Sequence, residues 1–198
     1  MSVLLRAPVL TDKEERRLAK LRTKLFDKES KDWKTLIRDE SPAEVYSDET
    51  GFSIYVGNAE HASDLLTLEI KGVTFVLNMA AGEPLCNMTE EVYGPAYRCL
   101  RVSAGDMPGY NLSQHFDDTW TFLEEARRRR AKVLVHCVAG VSRSATVVIA
   151  YLMQLRGWSL ETAGTHVSQK RPKVYPNLGF MKQLELHQTK LSGTIGKL

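Results

Sequence analysis

Cys137 and Arg143 stand six positions apart with Gly140 between them, and a thiol beside a guanidinium can act as a nucleophile toward an anion. The intervening residues Val138, Ala139, Gly140, Val141 and Ser142 are small enough for backbone to face a ligand, and Gly140 permits positive φ or close approach. The amides from Val138 to Arg143 are then expected to converge ahead of a helix. Unsatisfied N–H groups and the helix dipole both favour negative charge at such a point. Arg143 adds a planar fork matched to two oxygens of a phosphate. A cation at a helix start opposes the dipole, so a bound anion would offset an otherwise unfavourable placement. Cys137 falls at the base of the ring, where the positive field favours the thiolate at neutral pH. The expected substrate-binding set is therefore Val138, Ala139, Gly140, Val141, Ser142 and Arg143, with Cys137 as nucleophile.

The elements that must hold this loop are legible on either side. Residues 132–135 form a short apolar, β-branched run that reads as a buried strand, and 145–153 is apolar nearly all round, as a central helix would be. Further strands are predicted near 44–47, 53–57, 73–77 and 97–102, the central one extending to 136. Helices are predicted near 60–70, 112–130, 143–157, 159–170 and 177–191, with Ser159 and Asn177 as N-caps. This alternation implies an α/β fold, a central, mainly parallel sheet of about five strands flanked by helices, with ligands at the strand C-terminal ends. Ahead of it, Thr11-Asp12 can cap a helix with Leu18, Leu21 and Leu25 on one face, and a short second helix is expected around Trp33, Leu36 and Ile37. The expected organisation is an N-terminal helical extension over 1–42, a catalytic domain over 43–192 and a tail over 193–198.

The string His136-Cys137-Val138-Ala139-Gly140-Val141-Ser142-Arg143-Ser144 resembles the signature loop of cysteine-dependent protein phosphatases, His-Cys-x-x-Gly-x-x-Arg-Ser. Its continuation through Ala145-Thr146 to Ala150-Tyr151-Leu152-Met153 looks like the dual-specificity branch, an atypical member with no recognisable kinase-docking domain ahead of it. Tyr55-Val56-Gly57-Asn58-Ala59, the stretch from Gly72 to Ala80, Arg171-Pro172, and Pro176-Asn177-Leu178-Gly179-Phe180 to Gln183-Leu184 are similar to the same family. The resemblance covers roughly Ala43 to Leu191. It implies the cysteine-phosphatase fold and hydrolysis of phosphotyrosine and phosphoserine/threonine on proteins through a phosphocysteine intermediate, with no metal or other cofactor.

Departure of an alkoxide or phenoxide needs a proton donor, and a positioned acid contributes roughly 10²–10⁴-fold. The loop Ser103-Ala104-Gly105-Asp106-Met107-Pro108-Gly109-Tyr110 carries hinge residues and a single acid, Asp106. In the family the general acid precedes an Asn-Leu-Ser helix start, and Asp106 precedes Asn111-Leu112-Ser113. Asp117 and Asp118 are read as a solvated helix face. Ser144 is expected to hydrogen-bond the departing thiolate, so the catalytic set is Cys137, Arg143, Asp106 and Ser144. His136 is assigned no proton transfer; it is expected to hold the loop by hydrogen bonding.

The 198 residues, 43% hydrophobic and 26% charged with a formal charge of +3, match a globular domain with a full core. Arg127-Arg128-Arg129-Arg130 resembles a nuclear or nucleic-acid signal, yet cations in a last helical turn complement the dipole, and aromatics for base stacking are missing. No nucleic-acid partner is expected. No apolar run is long enough to cross a membrane, the start does not read as a signal peptide, and Ser2 departs from the myristoylation pattern, so no membrane partner is expected. Three cysteines argue for a reducing compartment, the cytoplasm or also the nucleus. Cys86 and Cys99 read as structural thiols, with a protective disulfide to Cys137 as the alternative. His61, His115, His166 and His187 have no metal-ligand spacing. Partners expected from the resemblance are phosphorylated proteins, with protein kinases among the candidates; Arg16-Arg17 with Leu18 and Leu21 loosely resembles a kinase-docking peptide, though a buried amphipathic helix is preferred. Oligomeric state is not read from the sequence. The alternatives are a phosphoinositide phosphatase, disfavoured because Val138 and Val141 stand where lysines would meet extra phosphates, a sulfurtransferase, which would leave Arg143 and Asp106 without roles, and a phosphoprotein-binding pseudophosphatase, disfavoured because Cys137 is present.

Overall fold

The continuous apolar run of 133–135 becomes the middle of the molecule because both faces of its strand are covered. The computed structural model describes residues 7–26 and 39–195, so the helix expected around Trp33, Leu36 and Ile37 lies outside the described residues. In chain order the elements are α1 (Asp12–Phe26), β1 (Ala43–Ser47), β2 (Ser53–Gly57), α2 (Ala59–Ser63), α3 (Leu65–Lys71), β3 (Val73–Asn78), α4 (Glu90–Tyr93) and β4 (Arg98–Arg101). A 3₁₀ turn (Leu112–His115) leads into α5 (Phe116–Arg128), then β5 (Lys132–His136), α6 (Arg143–Arg156), α7 (Leu160–Lys170) and α8 (Leu178–Ile195). The sheet has five strands in the order β1-β2-β5-β3-β4. β2, β5, β3 and β4 run parallel; β1 alone is antiparallel, against β2. Gly57 and Asn78 flank His136 in register, so three strands end together beneath the loop that follows β5.

Alternation along the strands divides the core. Val133 and Val135 of β5 and Phe75 and Leu77 of β3 face a large cluster with α6, α7 and α8; Leu134 and Val76 face a smaller one with Ala62, Leu68 and Tyr93. Helix α6 is buried from Arg143 through Met153. Among the described residues no helix is long and apolar enough to cross a membrane.

Four helical stretches differ from expectation, the first for a clear local reason. The single helix predicted over 60–70 is two, because Asp64 leaves helical geometry (φ −85°, ψ 79°) and caps α3 through its carboxylate, which accepts from the Thr67 amide at 3.0 Å. A side chain that satisfies orphan amides favours a new start over continuation. The stretch predicted as helix from 112 begins with the 3₁₀ turn. Helix α4 has no counterpart in the sequence reading, and α8 runs four residues past the expected 191. Ser159 and Asn177 cap α7 and α8, accepting from the amides of Thr162 (3.1 Å) and Phe180 (3.0 Å).

Helix α1 begins with a reciprocal capping box: the Thr11 amide donates to the Glu14 carboxylate and the Glu14 amide to Thr11 Oγ1. Its Leu18, Leu25 and Phe26 are 0–2% exposed and belong to the main core, where α1 packs on α7 and α8. Ion pairs of Glu14 with Lys182 and of Arg17 with Glu185 flank that contact. The helix is therefore built into the core rather than appended to it. Leu18→Ala should lower the unfolding free energy by about 2–5 kcal/mol, read from denaturant titration; a loss under about 0.5 kcal/mol would mean that α1 is only loosely attached.

Candidate active site

Carbonyls decide where the amides of a loop point. In a planar trans peptide the C=O and the following N–H lie on opposite sides, so an outside donor that holds a carbonyl outward turns the next amide inward. After β5 this happens repeatedly. The Met79 amide donates to His136 O (2.8 Å), the Ala59 amide to Val138 O (3.0 Å), Arg171 Nε to Gly140 O (2.9 Å) and the Tyr175 amide to Val141 O (2.9 Å). Among the described residues nothing accepts a hydrogen bond from the amides of Val138 through Arg143. Six consecutive donors are left for an anion at the start of α6. Gly140 has φ +65°, and a Cβ there would lie 2.4 Å from Gly57 O, so both conformation and space demand glycine.

Cys137 lies at the floor, 1% exposed, with its Sγ 3.3 Å from Ser144 Oγ. Arg143 is 4% exposed. Its Nη1 donates to Ala104 O (2.8 Å) and to Glu83 Oε1 (3.1 Å), while Nε is buried with no hydrogen-bond partner, 3.7 Å from Asp106 Oδ2. The sequence-predicted residues are thus gathered in one place. Asp106 Oδ1 accepts from Ser142 Oγ (2.7 Å) and Asn177 Nδ2 (2.9 Å), which aims the carboxylate across the loop toward Arg143. Asp117 and Asp118 are exposed, as expected of a solvated face.

The acid loop is also braced from outside. Tyr110 Oη donates back across it to Ser103 O (3.1 Å), Gln183 Nε2 donates to Tyr110 O (2.8 Å), and a Cβ on Gly179 would come 1.9 Å from Pro108 O. The roles of Glu83, Asn177 and Gln183 were not legible from single residues. For Asn177 the available signal was its N-cap position, which also sets its amide beside Asp106.

His136 is 1% exposed, its ring against the Cys137 backbone with neither nitrogen in well-aligned hydrogen-bond geometry among the described residues. Burial pushes its pKa down to about 4, only partly opposed by the nearby Cys137 backbone. Cys86 is buried and Cys99 partly so; burial pushes both thiols up to about 11, the behaviour of inert structural cysteines.

The matching family model is "Dual specificity phosphatase, catalytic domain", aligned to residues 54–190. Dual specificity protein phosphatase 1 of Arabidopsis thaliana is 37% identical over 155 residues, 76% of this chain and 75% of that protein. Dual specificity protein phosphatase Mpk3 of Drosophila melanogaster is 41% identical over 138 residues, covering 70% of this chain. The chain spans only 30%, 20% and 33% of the first three curated relatives it matches. Among solved structures, a mouse putative dual specificity phosphatase complexed with zinc tungstate superposes with a TM-score of 0.67 at 34% identity, covering 78% of this chain and 90% of that one.

The buried, unprotonated His136 makes stability pH-dependent. An unfolded histidine takes up a proton near pH 6.5, whereas the buried ring refuses it until about pH 4. Stability is full above about pH 6.5 and falls as pH drops through that window, by about 2 kcal/mol between pH 7 and 4.5. His136→Asn should remove that share of the loss in urea titrations at the two pH values; an unchanged slope would mean that the histidine is protonated in the fold.

Proposed function

The chain belongs to the dual specificity phosphatase family, and on that premise we propose that it hydrolyses phosphotyrosine and phosphoserine/threonine on proteins through a phosphocysteine intermediate. The observation that carries the proposal is the set of six unbonded amides from Val138 to Arg143 in the loop that begins at Cys137. A phosphoryl group bound there would be met by backbone dipoles that need no reorganisation, and Arg143 would add its Nε–H and charge. Tungstate, in the complex of the mouse relative, is a tetrahedral oxyanion like phosphate.

The steps follow from the positions. Cys137 Sγ attacks phosphorus; an S–P bond forms as the ester P–O bond breaks, and Asp106 passes its proton to the leaving oxygen. Water then attacks the phosphocysteine. Asp106 takes a proton from it, the S–P bond breaks, and inorganic phosphate leaves with the thiolate restored. Ser144, 3.3 Å from the sulfur, donates a hydrogen bond to that thiolate. Ser142 and Asn177 hold the Asp106 carboxylate in line in both steps. Val138 and Val141 give the loop no cation for extra phosphates, which favours phosphoproteins over phosphoinositides. We assign the catalytic unit to 43–192. A working Cys137 must stay reduced, which suits the cytoplasm or nucleus.

Cys137→Ser should abolish hydrolysis of p-nitrophenyl phosphate while retaining affinity for inorganic phosphate; retained turnover would eliminate it as nucleophile. Asp106→Ala should slow phosphoserine peptides by about 10²–10⁴-fold, and aryl phosphates with good leaving groups far less. Equal losses on both substrates would remove Asp106 from the acid role.

A further inference from the structure

Building on the phosphatase reading, we infer that Asp39 is a positioning residue for the anion-binding loop, acting through Arg171 on the Gly140 peptide. Asp39 lies four residues before β1, outside the 54–190 family match and outside the unit 43–192 assigned from sequence. Its carboxylate accepts from both Nη groups of Arg171, at 2.8 and 2.7 Å, in a two-pronged pair. The third arm of the same guanidinium, Nε, donates to Gly140 O at 2.9 Å. Arg171 is 3% exposed and the Asp39 side chain 14%, so the pair is largely shielded from water.

This arrangement has directional consequences. A planar guanidinium gripped at both Nη groups cannot rotate, so the direction of its Nε–H is fixed. That N–H holds the Gly140 carbonyl outward, and the shared peptide plane turns the Val141 N–H toward the anion. The contact is also tight, since a Cβ on Gly140 would come 2.7 Å from Arg171 Nη2. The carboxylate is fixed in turn. Lys173 Nζ lies 3.3 Å from Asp39 Oδ2. His61 Nε2 lies 2.7 Å from Asp39 O, while its Nδ1 accepts from the Asn58 amide at the start of α2. A group held this closely serves geometry, because a small misplacement of binding groups costs far more in rate than in fold stability.

The test uses the full chain carrying Asp39→Asn, which keeps the side-chain shape and removes the charge. Inhibition constants for inorganic phosphate and orthovanadate should rise by about tenfold or more, with a parallel fall in kcat/KM on p-nitrophenyl phosphate. The amide resonance of Val141 in a ¹⁵N-labelled sample should shift, and Asp39→Glu should recover most of the loss. Should Asp39→Asn fail to fold, Arg171→Lys, which keeps the buried charge without the fork, carries the same expectation. Oxyanion affinity and kcat/KM within twofold of wild type, with an unmoved Val141 amide, would overturn the inference whatever happens to Tm. A wild-type chain without turnover or oxyanion binding would instead sink the phosphatase reading; the Val141 resonance would still decide whether Asp39 sets the loop.

Discussion

Outward capture of loop carbonyls is the constraint on which the rest of the structure depends. Convergent N–H dipoles repel one another, and without donors on their far side the peptide planes would relax by turning over. The donors come from four separate places: the end of β3, the start of α2, the residue after α7, and the segment before α8. Two are delivered by crossovers of the parallel sheet and two by the connection between α7 and α8, beyond the last strand. The architecture can thus be understood as a frame that brings four outside hydrogen bonds to one six-residue stretch, His136 to Val141. The apolar collar of α6 and the flanking strands excludes water, and that exclusion gives the dipoles their strength.

How much of this was legible varies with the range of the interaction. The five strands and their order of appearance follow from period and composition, and the structure has them within a residue or two of the expected ends. The central strand and loop were readable because one continuous segment carries strand, glycine, cysteine and arginine. Asp64 was misread because an apolar periodicity on both sides concealed a cap that breaks it. That the His136 ring lies against the Cys137 backbone without a well-aligned hydrogen bond is a detail only coordinates reveal.

Long-range polar contacts were invisible from spacing alone. Asp39 and Arg171 are 132 positions apart, and Asp106 and Asn177 are 71. No local pattern pairs them. The same holds for α1, where the amphipathic stripe announces burial without naming the surface that covers it. Its partners, α7 and α8, lie more than a hundred residues downstream, and the ion pairs across the seam, of Arg17 with Glu185, Lys24 with Glu161 and Glu14 with Lys182, add little energy but fix orientation.

The contact between Gly179 and Pro108 ties two unrelated parts of the chain by their bare backbones. There is room between them for a hydrogen atom and nothing larger. The last long helix therefore acts as a doorstop against the loop that carries Asp106. Because Asp106 is only two residues from Pro108, any side chain at 179 would shift the Asp106 carboxylate while leaving Cys137 and its own loop untouched.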